Sequence, residues 1–257
     1  MILDDILART RADLAVRMRE RPLAAVESAA RATPAPRGFA RALRRPGQVT
    51  CIAEFKRRSP SAGWIRQGAD PTQTVTTYAG AGAAALSVLT DGPFFGGGLD
   101  DLQAARAAVS IPILRKDFMV DRYQVAEARA AGADAILIIV SALDDGRIAL
   151  LLQAAAEFGV DALVEAHDEA EVRRAVSLGS TVIGVNNRDL KTFTMDRALA
   201  IKLRPLVPPS TVMVAESGIR DAADVHRLGA AGIDAVLVGE TLMRAQDPGA
   251  ALRELLA

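Results

Sequence analysis

The run VTCIAEFKRRSPSAG, Val49 to Gly63, sets a carboxylate and an ammonium two residues apart where an apolar stretch ends. Strand side chains alternate faces, so Ile52, Glu54 and Lys56 project to one side and Cys51, Ala53 and Phe55 to the other. An acid and a base then share one wall. Ser59 to Gly63 follows as a loop rich in hydroxyls and backbone donors. The same order of apolar strand, polar tip and loop returns along the chain. Asp91 stands after the second apolar run, Lys116 and Asp117 after the third, Ser141 after the fourth and Glu165 after the fifth. Asn186, Asn187 and Arg188 follow the sixth, Glu216 and Ser217 the seventh, and Gly239 and Glu240 the eighth. If these tips meet, two lysines face three carboxylates. Such neighbours hold one another's pKa values apart, which supplies a general acid and a general base near neutral pH. The alternative is a ring of salt bridges that only closes the top of the fold.

The elements that must position these tips are short apolar strands over Val49–Phe55, Ala84–Leu89, Pro112–Arg115, Ala135–Val140, Ala162–Glu165, Thr181–Val185, Thr211–Ala215 and Ala235–Val238. Helical patterns lie between them, for example Gln124–Ala131 and Asp221–Leu228. Most helices end in one kind of punctuation (AGAGAAALSVL, AAGADAILII, EFGVDALVE, SLGSTVIGV, AAGIDAVLV), where a Gly caps the helix and the chain turns at once into a strand. Alternating strands and helices with near-continuous apolar strands predict an α/β fold with a parallel sheet covered by helices. Eight strands suit a closed (β/α)8 TIM barrel. The rival, an open doubly wound sheet, usually announces itself by G-x-G-x-x-G after the first strand, and Glu54 to Gly63 has no such run.

Residues 1–48 read differently, as an N-terminal helical extension packed on a barrel of residues 49–257, the whole forming a single domain. Ile2, Leu3, Ile6, Leu7, Leu14 and Met18 fall at helical spacing, and Thr33-Pro34-Ala35-Pro36 marks a loop. Ten arginines stand against five carboxylates in this segment. They predict a solvated cationic face, and in a functional reading they help draw an anionic substrate to a nearby pocket.

A second cluster points to phosphate. Glu216-Ser217-Gly218-Ile219 and Val238-Gly239-Glu240-Thr241 each lead into a helix, and in barrels the loops after the seventh and eighth strands commonly offer backbone N–H groups to a phosphate. Tight turns are the other account of Gly218 and Gly239. His167 and His226 are expected as solvated residues on helix surfaces, with no second ligand at metal spacing. Cys51 is expected to be a buried structural thiol. Trp64, Phe94 and Phe95 either line a pocket for an aromatic group or cover the barrel top.

Composition bounds the function class. Across 257 residues, 31 Lys and Arg balance 31 Asp and Glu, so nothing in the total argues for nucleic acid or a charged membrane surface. A single Cys excludes an internal disulfide. No apolar run is long enough to span a bilayer, and Asp4 and Asp5 stand where a signal peptide would be basic. The expectation is a cytoplasmic monomer or weak homo-oligomer whose partner is a phosphorylated small molecule, with no nucleic acid, no membrane and no metal.

The motifs IAEFKRRSPS, LSVLTDGPFFGG, IPILRKDFMVDRYQ, ADAILII, ALVEAH, IGVNNRDLKTF, VAESGI and VLVGETLM, in that order from Val49 to Met243, resemble the successive strand ends of the indole-3-glycerol phosphate synthase family. The basic helical N-terminus is similar to that family's extension as well. The resemblance implies a cofactor-free TIM barrel of tryptophan biosynthesis. That enzyme converts 1-(2-carboxyphenylamino)-1-deoxyribulose 5-phosphate into indole-3-glycerol phosphate, carbon dioxide and water. It also implies roles. Lys116 is the general acid at the substrate ketone, and Glu165 the general base for the later proton removal and dehydration. Glu54 and Lys56 orient the substrate, with Lys56 a second candidate acid. Asn186 and Glu216 bind and position it. Arg188 and Phe95 are pocket residues, and Ser59, Ser217, Gly218 and Gly239 hold the phosphate. Glu240 departs from the small or polar residue many relatives carry beside that phosphate, so only Gly239 is proposed there. Two rivals remain: a phosphoribosylanthranilate isomerase-like barrel, which would need a Cys at the first strand end, and a non-catalytic phosphate-ligand-binding barrel.

Overall fold

The computed structural model describes residues 2–189 and 194–257. The last part of the IGVNNRDLKTF motif, residues 190–193, lies outside them. Eight parallel strands close into a barrel: β1 (Thr50–Phe55), β2 (Ala85–Leu89), β3 (Ile113–Lys116), β4 (Ala135–Ile139), β5 (Asp161–Ala166), β6 (Val182–Asn186), β7 (Val212–Glu216) and β8 (Ala235–Val238). Each pairs with the next, and β8 pairs back with β1. Every expected strand forms within a residue or so of its expected bounds. Lys116, Asn186 and Glu216 turn out to be the last residues of strands rather than the first residues of loops. The Gly caps also hold: Gly82, Gly132, Gly159, Gly179 and Gly232 all have positive φ.

Alternation along the strands splits the core in two. Cys51, Ala53 and Phe55 face outward into a layer shared with the surrounding helices, as expected for Cys51. Ile52, Leu114, Ala135, Leu137, Leu163, Val182, Val214 and Leu237 fill the barrel interior. Helix α3 (Phe39–Leu43) plugs the N-terminal end of that interior with Phe39 and Leu43, both fully buried. Each such side chain contributes about 1.5–3 kcal/mol of burial. The plug is tied by polar bonds as well: Ala40 N donates to Asp161 Oδ2 at 2.9 Å and Thr50 Oγ1 donates to the Leu43 carbonyl at 2.8 Å.

The rest of the N-terminal segment climbs the outside. Helix α2 (Leu23–Ala32) packs on α7 (Arg122–Ala130), where Arg122 Nε meets Glu27 Oε1 at 2.9 Å. Helix α1 (Ile2–Glu20) carries its first turn to the opposite, C-terminal end of the barrel, so Ile2, Leu3 and Ile6 reach the cavity there. Several of its cations are already engaged, Arg9 with Asp13 and Arg17 with Glu127. What this helix offers to the cavity is an apolar cover from the expected apolar face, while Arg9, Arg11 and Arg19 stay exposed as expected of its cationic face. No helix among the described residues is long and apolar enough to cross a membrane.

Candidate active site

The inward side chains change character one step from the C-terminal ends of the strands. Ile52 gives way to Glu54, Leu114 to Lys116, Leu163 to Glu165 and Val214 to Glu216, each pair two residues apart on the same face. The register levels them, with Asn186 opposite Glu216 and Glu54 opposite Ser87. The ammonium of Lys116 sits between two carboxylates, 2.6 Å from Glu165 Oε2 and 2.9 Å from Glu216 Oε2. Lys56 Nζ lies 2.7 Å from Glu54 Oε2, and Ser87 Oγ donates to Glu54 Oε1 at 3.3 Å. Asn186 Nδ2 donates to Glu165 Oε1 at 3.3 Å, and its own Oδ1 is held by the backbone N–H of Arg188. Two lysines and three carboxylates therefore share one site, as the strand tips predict.

Two glycines make the room. A Cβ on Gly184 would stand 2.2 Å from Glu216 Oε1, and one on Gly239 would stand 2.4 Å from Glu54 Oε2. Glu216 Oε1 is buried and has no hydrogen-bond partner. An unpartnered buried oxygen is costly, and groups left in that state cluster where a ligand or proton completes them.

Electrostatics separate the two acids on Lys116. Burial disfavours the charged form of Lys116, but Glu165, Glu216 and Glu54 outweigh it and hold the ammonium above its ordinary range. Burial likewise opposes ionised Glu165, and Lys116 and His167 overcome it, so Glu165 lies well below the usual carboxylate range. Burial pushes Glu216 up to about 7, with the Lys116 charge only partly offsetting it. One carboxylate stays ionised while its neighbour holds a proton near neutral pH.

These groups open onto a cavity of about 460 Å³ lined also by Leu137, Ile139, Leu237, Phe95 and Phe118. Ser59, Arg188, Ser217, Gly218, Gly239, Glu240 and Thr241 line it too. Ser217 follows Glu216 with φ of 66°, the one non-Gly residue in the left-handed region among the described residues, and Gly218 continues at 76°. Strain of that kind, about 1–2 kcal/mol, concentrates at functional sites. Thr241 Oγ1 donates to the Ile219 carbonyl at 2.8 Å and so ties the loops after β7 and β8 together.

The family model described as indole-3-glycerol phosphate synthase matches residues 3–255. An "Indole-3-glycerol phosphate synthase 2" of Streptomyces coelicolor is 50% identical over 255 residues, covering 99% of this chain and 98% of that protein. The indole-3-glycerol phosphate synthase of Rhodospirillum rubrum is 50% identical over 259 residues, with 99% and 98% covered. The chain belongs to the indole-3-glycerol phosphate synthase family. Among solved structures, 3-hexulose-6-phosphate synthase from Salmonella typhimurium shares the barrel at a TM-score of 0.65 and 16% identity, over 80% of this chain and 96% of that one. At that identity the likeness is one of fold.

In this synthase-family barrel some residues at the strand ends serve the scaffold instead of the cavity. Asp91 caps α5 (Gly92–Phe95), accepting the N–H groups of Phe94 and Phe95. Asp117 borders the cavity, but its carboxylate accepts from Arg115, Thr90 and the Phe118 N–H. Asn187 Nδ2 donates to the Ser217 carbonyl at 3.0 Å and shapes the loop below that residue. Of the aromatic candidates, Phe95 lines the cavity and packs against Phe118 with ring centres 6.0 Å apart. Trp64 stands half exposed, with the Arg58 guanidinium 5.6 Å from its ring. Glu240 is engaged by Arg244 at 2.9 Å and faces Arg188 at 3.8 Å.

The expectation of two solvated helix-surface histidines holds for His226, exposed on α11 (Ala222–Ala230), and fails for His167. His167 lies in the turn after β5, its side chain only 9% exposed, between Glu165 and Glu171. The signal was present in the spacing, because residues two apart at a strand end share a face. The acidic, helix-forming run that follows drew it into the wrong element.

Proposed function

We infer that the protein is a carboxy-lyase that closes the indole ring, converting 1-(2-carboxyphenylamino)-1-deoxyribulose 5-phosphate into indole-3-glycerol phosphate, carbon dioxide and water. The observation that carries the mechanism is the Lys116 ammonium held at 2.6 and 2.9 Å by Glu165 and Glu216 on the cavity wall. When the aromatic carbon bearing the carboxylate attacks the substrate ketone, the ketone oxygen becomes an alkoxide. Lys116 donates its proton there, to an oxygen far more basic than an amine. Loss of carbon dioxide leaves its bonding electrons to restore the aromatic ring. It also discharges the carboxylate, which apolar walls such as Leu137, Ile139 and Leu237 favour. Glu165, kept ionised, then takes the proton from the carbon between the nitrogen and the carbinol carbon while Lys56, the second acid of the site, protonates the new hydroxyl, which leaves as water and completes the indole.

Glu54 and Lys56 orient the substrate, Asn186 fixes Glu165 and the substrate together, and Glu216 holds a proton beside them. Arg188, Phe95 and Ser59 bind around it. Ser217, Gly218 and Gly239 take the phosphate, supported by the left-handed geometry of the first two and by the arginines around the cavity. Cys51 faces outward with a thiol pushed up to about 12 by burial, so the isomerase-like alternative finds no thiol in the cavity.

The test is to incubate the protein with the carboxyphenylamino-deoxyribulose phosphate and follow the indole chromophore. Turnover is expected, with Lys116→Ala slower by roughly 10³-fold or more while still folded. Tight binding without turnover would instead favour the phosphate-binding barrel, and unimpaired Lys116→Ala would remove the acid from Lys116.

A further inference from the structure

The Glu165 carboxylate has a neighbour that the reaction scheme does not use. His167 Nε2 lies 3.2 Å from Glu165 Oε1, at an ion-pair distance without hydrogen-bond alignment. Its Nδ1 lies 3.2 Å from Glu171 Oε2, and the same carboxylate oxygen accepts the His167 backbone N–H at 2.8 Å. Glu171 is itself fixed in the first turn of α9 (Glu169–Ser177), its N–H donating to the capping Asp168 Oδ1 at 2.8 Å. The cavity lining does not include His167, so the residue meets no substrate.

We propose that His167, clamped by Glu171, is a positioning residue for Glu165: beside Asn186 it holds the oxygen that Lys116 does not touch, and it keeps the base ionised through the proton transfers. This rests on the reading of Glu165 as the base. Both ring nitrogens of His167 face carboxylate oxygens, which only accept hydrogen bonds. A neutral imidazole would turn one lone pair against a carboxylate, so the cation is the form the surroundings favour. The direction of titration agrees: burial lowers the imidazolium, but Glu165 and Glu171 outweigh it and push the group up to about 10. The charged groups bearing on His167 are Glu165 from β5 and Glu171 from α9, with Lys116 and Glu216 one contact further on.

The role matters most when Lys116 gives up its proton. At that moment Glu165 loses its strongest counter-charge and its carboxylate would gain affinity for a proton from solvent. A second cation on Oε1, outside the cavity and unable to react with the substrate, holds the carboxylate in place until the hydroxyl leaves. Removing it raises the pKa of Glu165, so the acid limb of the rate profile moves to higher pH.

The experiment compares His167→Asn, Glu171→Gln and, as reference, Glu165→Gln in the full chain, reading kcat and KM across pH. It also follows the imidazole resonances, which two histidines make assignable. Both positioning variants are expected to lower kcat by about 10-fold or more at pH 6 with KM little changed, and to move the acid limb up by ~1 pH unit. In the wild type His167 should not titrate between pH 5 and 8. In Glu171→Gln it should begin to titrate in that window. If Glu165→Gln turns over normally, the base assignment falls and the positioning role falls with it. If Glu165→Gln is inactive but Glu171→Gln keeps the wild-type kcat and acid limb, only the positioning role is overturned. A wild-type His167 that titrates between pH 5 and 8 overturns it too, and this reading needs no variant to fold.

Discussion

Two buried charge clusters begin at adjacent residues of β3 and are built to opposite standards. Arg115 points outward and is fully buried. Its guanidinium reaches Asp117 at 2.9 Å, Glu127 at 2.9 Å, Thr90 Oγ1 at 3.0 Å and the Gln124 carbonyl at 3.2 Å, and Glu127 goes on to Arg17 of α1 at 2.9 Å. Lys116 points inward, and its cluster leaves Glu216 Oε1 unpartnered and faces a cavity. In the first cluster every contact of the Arg115 guanidinium meets an acceptor, and the ion pair from Glu127 to Arg17 extends it into a strut that joins β3, α7 and α1. The second holds carboxylates whose proton affinities are pushed apart, and that imbalance is what proton transfer needs. A one-residue step along a strand separates scaffold from chemistry because alternation sends neighbours to different sides.

The largest way to break that contrast is at the strut. Arg115→Met leaves Asp117 buried without its guanidinium and Glu127 with Arg17 alone, which costs about 3–5 kcal/mol. Chemical denaturation should show that loss, while the fraction that remains folded keeps kcat within about tenfold, since Arg115 itself does not line the cavity. A folded Arg115→Met enzyme with unchanged stability and lost turnover would reverse the roles assigned to the two sides of β3.

Next in size is a change that alters geometry without touching a charge. Gly184→Ala would place a methyl 2.2 Å from Glu216 Oε1 and force that carboxylate off Lys116. A misplacement near 1 Å lowers kcat by roughly 100-fold. Wild-type kinetics in this variant would mean that the position of Glu216 is immaterial.

The sequence carried the scaffold and most of the reacting groups, but less of what surrounds them. Strand period and Gly caps located all eight strands, and the charged residue at each tip located Lys116, Glu165 and Glu216. Gly184 could not be read in the same way, because its requirement comes from a side chain on β7 that lies 32 residues away. His167 was assigned to a helix although strand spacing from Glu165 put it on the base's own face. The apolar face of helix α1 was legible in the spacing of Ile2, Leu3 and Ile6, but not that its first turn reaches the cavity. Period and composition report which face a residue takes within its own element. Contacts between elements depend on register and on how the helices wrap, and short patterns do not encode those.

Glu216 also separates stability from function. Its folded carboxyl, pushed up to about 7 from an ordinary 4.5, binds a proton that the unfolded chain has already released between those values. The resulting stability is complete below about pH 4.5 and is lost as pH rises through 7. Glu216→Gln has no charge to bury, so at pH 8 it should be more stable than the wild type by ~1–3 kcal/mol, and the gap should close toward pH 4. Turnover should fall over the same range. Equal stability at pH 8 would place the raised proton affinity elsewhere in the cluster.

The smallest expected effect lies at the rim, where Glu240 pairs with Arg244 at 2.9 Å and faces Arg188 at 3.8 Å. An exposed pairing of this kind is worth about 0–1 kcal/mol, so its removal barely alters folding. It does change what an arriving phosphate meets, because Glu240 lines the cavity and its carboxylate competes with the phosphate for the same two guanidinium groups. Glu240→Ser removes both the competitor and the repulsion. KM should fall by roughly 2–5-fold with kcat unchanged, and the gain should shrink as salt is raised, since the interaction is screened. A substrate analogue lacking the phosphate should bind the two forms equally. If that analogue gains as much as the phosphorylated substrate, the rim arginines serve some other part of the ligand, and the phosphate belongs with Ser217 and Gly218 alone.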